Sequence, residues 1–494
     1  MLRPYQTTAL DAMRGHLRVC KSTLLVMPCG SGKGTVITEM VQNGVAKGLR
    51  VIFAVHGKAL VDDMSERVSK LGIPHGVLMG SRKREHWHSV QVASIDTLHR
   101  MENPPSAHLF IIDEADTAMS PTWRKTLDRY PDAWKVGMTA TPIRLDGQPL
   151  GKQSGGLFET MVLGPSERQL IEMGYLVPSL VLAPPPPSDM KAVKLGANDN
   201  LKAQAAVCDK AKVIGDIVEH WRKHAFGEKT AAYGVDIAHA HHIAESFKAA
   251  GFQWAYVDAD TPDAERRQIW KDLDEPHSGL MGVASVGCIS VGWDHPIVSC
   301  IIAARKTQSL RLWRQILGRG SRIYPGKERF LVLDHVGNTH LHAPYGFFED
   351  EVPWQLEGEP IRQRGPGEIA DSVTEIADSV TTCKVAGIVN GVRQLPCYAT
   401  FKTGPKACPY CGLPIMTQPK KIQHVEGELQ QVQGPMVAAN NERIMRALYD
   451  SLHASLHKKQ EQNGYKASYA RTAAAHVFKK KYGIFPPREW TANG

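Results

Sequence analysis

No unbroken apolar run in this chain approaches the ~20 residues that a helix needs to cross a bilayer, although the chain is 494 residues long. A helical membrane protein is therefore not expected, and neither is a membrane partner. The opening residues Met1-Leu2-Arg3-Pro4-Tyr5-Gln6 carry none of the apolar core of a secretory leader, so the expected compartment is the cytoplasm. Cysteine is also sparse. The chain has nine, an odd number and mostly scattered, which argues against a disulfide framework and fits a reducing compartment with a metal site.

What is present suits a soluble multidomain protein. Hydrophobic residues make up 43% and charged residues 22%, a balance that folds rather than stays disordered. Net charge is +9 and unevenly placed: ten Lys/Arg face four Asp/Glu from Asn441 to Gly494. That asymmetry points either to a polyanion partner for the tail or to a solvated basic helix.

Short apolar runs recur at Ser22–Met27, Arg50–His56, Ser89–Ile95, Leu109–Asp113, Trp134–Met138 and Leu176–Leu182, with helix-like stretches such as Gly57–Leu71 between them. Strands alternating with helices predict a parallel sheet covered on both faces. The prolines of Ala183-Pro184-Pro185-Pro186-Pro187-Ser188 interrupt the pattern as an extended spacer. It restarts with strands over Thr230–Val235, Gln253–Asp258, Leu280–Val286, Cys300–Ala304 and Arg329–Asp334, and helices over Lys210–His224 and His239–Ala250. The fold class is α/β: a lobe over 1–182, a Pro-rich linker over 183–200 and a second lobe over 201–345. Residues 346–382 read as a linker in which Glu368–Thr374 is duplicated as Glu375–Thr381. Residues 383–415 form a small cysteine module and 436–494 a basic helical tail, broken at Asn463-Gly464.

Four separated motifs, one of them Thr139-Ala140-Thr141, describe a nucleotide site shared by the lobes. Cys29-Gly30-Ser31-Gly32-Lys33-Gly34-Thr35 lies between a strand and a helix, where backbone amides and the helix N-terminus cradle phosphates and Lys33 reaches the β- and γ-phosphates. Two positions depart from the usual phosphate loop. Met27 stands where the first glycine is common, and Gly34 stands where Ser or Thr normally gives its hydroxyl to Mg²⁺. That ligand is then Thr35, one place on, or water. Asp113 and Glu114 follow a buried-strand run, with Asp113 suited to hold Mg²⁺ and Glu114 to activate the attacking water. Gln315, Arg319 and Arg322 share one face of a predicted helix, and such arginines stabilise the charge of phosphoryl transfer.

In order and spacing these residues resemble superfamily 2 helicases with two RecA-like doubly wound parallel-sheet lobes. The likeness is to the DEAD/DEAH type related to the helicase subunit of type III restriction enzymes and common in bacteriophages. It covers roughly Leu2 to Pro344 and implies an ATP-dependent helicase or translocase. By resemblance Gln6 reads adenine, Thr139 and Thr141 couple the γ-phosphate to lobe closure, and Gly292 and Asp294 touch the nucleotide. His56 and Gly57, with Ser94 and Thr97, grip the nucleic-acid backbone. Thr139-Ala140-Thr141 and Gln315, where RNA-unwinding DEAD-box enzymes have Ser-Ala-Thr and His, favour DNA over RNA. The partner implied is single-stranded or branched DNA, with replication or recombination proteins as further partners and a bacterial host cytoplasm if the chain is phage-encoded. No clear strand-separating pin or nuclease motif is present, so an ATP-gated clamp or remodelling subunit stands as the alternative, and an RNA helicase as a third.

The far end adds a metal reading. Cys408-Pro409-Tyr410-Cys411-Gly412 is a zinc knuckle, Cys397-Tyr398-Ala399-Thr400 resembles one whose second Cys has become Thr, and Cys383 completes a four-thiolate set. The alternative is a degenerate knuckle without metal. In the tail, Lys479, Lys480 and Lys481 suit phosphate contact, while Tyr465, Phe478, Tyr482 and Phe485 suit the core of a small helical module.

Overall fold

The computed structural model describes residues 2–80, 82, 85–144, 148–183, 200–287, 293–357, 380–384, 387–389, 392–394, 396–415, 446, 449–450, 453–454, 456–457, 460 and 469–482. The Pro-rich stretch, most of the duplication, Gly292 and Asn463-Gly464 lie outside them. The chain divides into a unit over 1–417 and a second over 418–494.

In the first unit the apolar runs become strands because both of their faces are covered. Strands β1 (Ser22–Val26), β2 (Val51–Val55), β3 (His75–Leu78), β4 (Val90–Ser94), β5 (Leu109–Ile112), β6 (Trp134–Thr139) and β7 (Thr160–Leu163) form one sheet in the order β3-β4-β2-β5-β6-β1-β7. Every pairing in it is parallel. β1, β2, β4 and β5 are buried along their whole length, as an interior parallel strand must be. β5, β6 and β1 are neighbours, so the loops that leave their C-terminal ends share one edge of the sheet.

The second sheet holds β8 (Ser179–Leu182), β9 (Thr230–Tyr233), β10 (Gln253–Tyr256), β11 (Leu280–Ser285), β12 (Cys300–Ala303), β13 (Phe330–Asp334), β14 (Val380–Thr382) and β17 (Ala399–Lys402), in the order β10-β11-β9-β12-β13-β8-β17-β14. A two-stranded hairpin, β15 (Gly387–Val389) and β16 (Val392–Gln394), stands apart. From β10 to β8 the pairing is parallel, but β17 runs antiparallel to β8 and to β14. The second sheet is therefore mixed rather than wholly parallel.

Two features differ from the sequence reading. The run ending at Leu182, grouped there with the first lobe, supplies β8, which pairs with β13 and belongs to the second sheet. The cysteine segment is not a free-standing module, because β17 extends that sheet through β8. The lobes are also packed together. One apolar cluster runs from Ile37 and Val41 on the first sheet's cover through Leu176 to Ile316 and Leu317 of the second lobe.

In the second unit, the helix Tyr469–Tyr482 buries Ala470, Ala474 and Phe478 at four-residue intervals, with the Phe478 ring 5.8 Å from that of Tyr449. Phe478 is thus a core residue, as the aromatic pattern of the tail predicted. Among the described residues no helix is long and apolar enough to cross a membrane.

Candidate active site

The phosphate loop leaves the C-terminal end of β1 and enters the helix Lys33–Ala46 through Gly32, whose φ of 82° is open to glycine and strained for other residues. The first helix, Pro4–His16, clamps this loop from behind. Tyr5 donates its hydroxyl to the Ser31 carbonyl at 2.7 Å, and Gln6 Nε2 donates to the same carbonyl at 2.9 Å. Gln6 Oε1 accepts from the Arg3 amide at 2.9 Å, so both ends of this amide are engaged by the protein itself. Ser31 is buried and donates to the Pro28 carbonyl. Lys33 Nζ donates to the carbonyls of Met27 and Pro28 at 3.2 and 3.3 Å, the inner wall of the loop.

Asp113 and Glu114 follow β5. Burial and the neighbouring Glu114 carboxylate push the Asp113 pKa up to about 6, with Lys33 opposing them. Glu114 adopts a left-handed backbone, φ 48°, an unfavourable conformation of the kind that collects at functional sites. Between β5 and β1, the end of β6 supplies Thr139, which donates to Asp116 Oδ1 at 2.7 Å and receives the Thr141 amide at 3.1 Å. The Thr141 hydroxyl is buried and has no hydrogen-bond partner among the described residues.

The second lobe closes over this edge. The helix Leu310–Gly320 follows β12 and packs Gly318 directly on Cys29, where a Cβ would lie 2.3 Å from the cysteine's own. Gln315 Nε2 stands 3.5 Å from Glu114 Oε2, and the buried Arg311 guanidinium pairs with Asp116. Thr139, Asp116 and Arg311 thus link the two lobes through one carboxylate. Arg311 and Asp116 were not singled out from sequence, although Arg311 lies one turn before Gln315 on the same helical face and was open to the same argument. Arg319 donates to the Trp293 carbonyl, and Arg322 Nε pairs with Asp294 at 2.5 Å. Arg322 is not on the helix face predicted for it. The helix ends at Gly320, and Arg322 forms a short bridge with Leu176 that holds its side chain over Gly30.

Position 35 faces a different direction from position 34. Thr35 is exposed, and its Oγ1 lies 3.7 Å from where a Cβ on Gly32 would stand. The corresponding space at Gly34 is taken by the Arg67 guanidinium, which the sequence reading missed. Asp113 offers the carboxylate that Mg²⁺ takes in such sites, so the donor set fits the ion on that side.

Geometry and relatives agree. Residues 1–144 match the family model for the type III restriction enzyme res subunit. A 51.5 kDa protein of a Lactococcus phage is 29% identical over 322 residues, 65% of this chain and 67% of its own. The Saccharomyces cerevisiae protein named as the ATP-dependent helicase IRC3 is 26% identical over 69% of this chain and 52% of its own. Through this domain the chain is similar to helicases of superfamily 2. A solved fragment of an HsdR subunit of a type I restriction enzyme from Vibrio vulnificus shares the fold, with 22% identity and a TM-score of 0.53 over 68% of this chain and 64% of that one. The chain therefore spans about half of the yeast protein and under two thirds of the Vibrio fragment.

Of the residues predicted to grip nucleic acid, His56 is half-exposed, 3.6 Å from Asp96 and edge-on to Trp123. Gly57 caps the helix Lys58–Lys70 with φ 82°. Ser94 is buried, and Thr97 Oγ1 accepts the Gly80 amide at 3.0 Å. Lys479 is exposed on the tail helix, while the side chains of Lys480 and Lys481 lie outside the described residues.

Cys383, Cys397, Cys408 and Cys411 converge, with all four sulfurs within 4.8 Å of one another. The pairs Cys383–Cys411 and Cys397–Cys408 stand at 3.8 and 3.6 Å. These distances are too long for disulfides and close to the ~3.8 Å edge of a tetrahedron with ~2.3 Å Zn–S bonds. Burial opposes ionisation of Cys408, but the N–H groups of Cys411 and Tyr410 donate to its sulfur and leave its pKa below the usual thiol value. The donor set fits zinc. Thr400 instead bonds Thr382 at 2.9 Å and stays out of the cluster.

Proposed function

We propose that the chain is a DNA translocase whose ATP cycle opens and closes the two lobes on a strand, with strand separation or branch remodelling as its output. The observation that carries this reading is the cross-lobe contact of Glu114 with Gln315 and of Asp116 with Arg311. The groups suited to hydrolysis and the groups suited to sense it belong to different lobes, so a change at the nucleotide must move one lobe against the other. Lys33 and the amides of the phosphate loop would bind the triphosphate, Glu114 would deprotonate and orient the attacking water, and Arg319 and Arg322 would face the transferring group. The unpartnered Thr141 hydroxyl is available to the γ-phosphate, and its backbone bond to Thr139 passes any shift to Asp116 and Arg311. Gln6 would reach adenine by exchanging one of its present bonds. Asp113 would hold Mg²⁺, with Thr35 as the hydroxyl available nearby, and the ion neutralises phosphate charge. Asp294 and Gly292 would complete the nucleotide contacts. His56, Gly57, Ser94 and Thr97, with Lys479, Lys480 and Lys481 of the tail, would follow the DNA backbone. DNA is favoured over RNA by Thr139 and Gln315 in the two motifs and by the restriction-enzyme relatives.

The test is steady-state ATP hydrolysis at fixed salt without nucleic acid and then with single-stranded DNA, duplex, a branched fork and RNA. Strong stimulation by DNA supports the reading, and stimulation by RNA alone overturns it. Lys33→Ala is expected to abolish hydrolysis on every substrate, and normal turnover in it would remove the site. Displacement of streptavidin from DNA without strand separation would separate a translocase from an unwinding enzyme.

The cysteine cluster would hold one Zn²⁺, fastening β14 and β17 to the second sheet. Elemental analysis is expected to give one zinc per chain. Cys408→Ser should lose it and lower the melting temperature, because structural zinc contributes folding free energy directly. A metal-free wild-type chain with an unchanged melt after chelation would leave only a degenerate knuckle.

A further inference from the structure

The phosphate loop has glycine at the position that normally supplies a hydroxyl, and the structure shows what fills the space. A Cβ built on Gly34 would lie 2.8 Å from Arg67 Nη1 and 3.3 Å from its Cζ. Arg67 comes from the helix Lys58–Lys70, which follows β2. Its Nε is fixed by Asp63 at 2.8 Å, one helical turn earlier, and this orients the Nη edge toward the nucleotide loop. A side chain at position 34 would push the guanidinium away, so the arginine can sit here because residue 34 has no side chain.

The placement is electrostatically unusual. Gly34 is in the first turn of the helix Lys33–Ala46, where unpaired amides give a positive end that attracts anions and repels cations. Lys33 adds a second positive charge to the same turn. An arginine is tolerated there only with carboxylates nearby: Asp63 acts on it most, followed by Asp294 of the second lobe and Asp113 of the first. An incoming phosphate would satisfy the helix end, Lys33 and the guanidinium together.

We propose that Arg67 is a nucleotide-binding residue that places its Nη edge on the terminal phosphates from the corner vacated at Gly34, so that ATP binding depends less on the divalent cation than in a site with a hydroxyl there. The proposal rests on the reading of the Lys33 loop as the ATP site. A guanidinium offers two parallel donors to phosphate oxygens and needs no metal to do so. It is distinct from Arg319 and Arg322, which approach from the other lobe.

The experiment measures ATP affinity of the full chain by calorimetry, in Mg²⁺ and in EDTA, for wild type and the variants Arg67→Ala, Arg67→Lys, Gly34→Ser and Lys33→Ala. Arg67→Ala is expected to weaken binding in EDTA by about 10–100-fold, the worth of a charge-assisted hydrogen bond, with a smaller loss in Mg²⁺. The ratio of the two Kd values therefore rises, and Arg67→Lys recovers part of the loss. Gly34→Ser displaces the guanidinium while adding a hydroxyl, so it loses affinity in EDTA but keeps it in Mg²⁺. The exposed Arg67–Asp63 pair contributes little to stability, and a matching thermal melt checks that Arg67→Ala is folded. An unchanged ratio in Arg67→Ala, beside lost binding in Lys33→Ala, would overturn the role of Arg67 and leave the ATP site standing. Wild-type binding in Lys33→Ala would remove the site itself, and Arg67 with it.

Discussion

Glu114→Gln is expected to cut steady-state ATP hydrolysis by about 10²–10⁴-fold, the usual worth of a positioned general base, while ATP binding stays within a few-fold of wild type. The substitution keeps the shape of the side chain and removes only its charge. The bond from the residue 114 amide to Asp113 Oδ1, 2.9 Å, is made by the backbone and survives. The charge matters to Asp113 as well. Burial raises the pKa of Asp113 most, and the Glu114 carboxylate raises it further. Removing that carboxylate lets Asp113 ionise more readily, which would strengthen the proposed ligand for the divalent cation as the proposed base is lost. Gln315, which faces Glu114 Oε2 across the cleft, still meets an amide oxygen. The variant should therefore accumulate as an ATP-bound, closed form, visible as tight retention of nucleotide and DNA together. Hydrolysis within threefold of wild type would take Glu114 out of the reaction.

The parts of this site that were legible in the sequence are those built from consecutive residues. A phosphate loop, a paired Asp-Glu after four apolar residues and Thr139-Ala140-Thr141 are each short segments at the C-terminal end of a buried strand, so a local pattern is enough to find them. Pairings between distant segments left no such trace. Arg67 lies in an ordinary amphipathic helix, and its importance follows from Gly34, 33 positions earlier, only once the fold brings them together. Asp116 and Arg311 meet across the lobes in the same way.

The edge strands β3 and β7 of the first sheet were illegible for a different reason. β3 and β7 alternate with solvent or are only partly covered, so neither shows the continuous apolar run of an interior strand. β8 was recognised as a strand but given to the wrong sheet, because the proline stretch after it looks like a boundary while the pairing partner, β13, lies far along the chain. The predicted helix through Arg322 stops after Gly320, a weak helix former, and Ser321 caps it. Cys383 was found by elimination as the remaining nearby thiol, and its convergence with the other three sulfurs agrees with that.

Arg322→Ala is expected to lower kcat by about 10³–10⁵-fold, or about 4–7 kcal/mol of transition-state stabilisation, with a much smaller change in ATP affinity. The stem of Arg322 lies over the phosphate loop, its Cγ 3.3 Å from where a Cβ on Gly30 would be. Its guanidinium is held by Asp294, and Arg319 is held by the Trp293 carbonyl. Burial lowers the pKa of Arg322, and the neighbouring Arg319 lowers it further. Two largely buried cations, of which Arg322 is paired with the exposed Asp294 carboxylate, make a site that gains most when a highly charged anion arrives. That gain is larger for the transition state, where charge builds on the transferring group, than for bound ATP. The loss should therefore fall on kcat rather than on binding. Arg322→Lys keeps the charge but cannot hold Asp294 and a phosphate oxygen at once with one planar fork, so it should recover little. The backbone bridge between Leu176 and Arg322 does not depend on the side chain, and the melting temperature should hold. Turnover within tenfold of wild type in Arg322→Ala would shift the role to Arg319. Equal losses for Arg319→Ala, Arg322→Ala and the double variant would mean that the two arginines act as one unit, as their shared cleft implies.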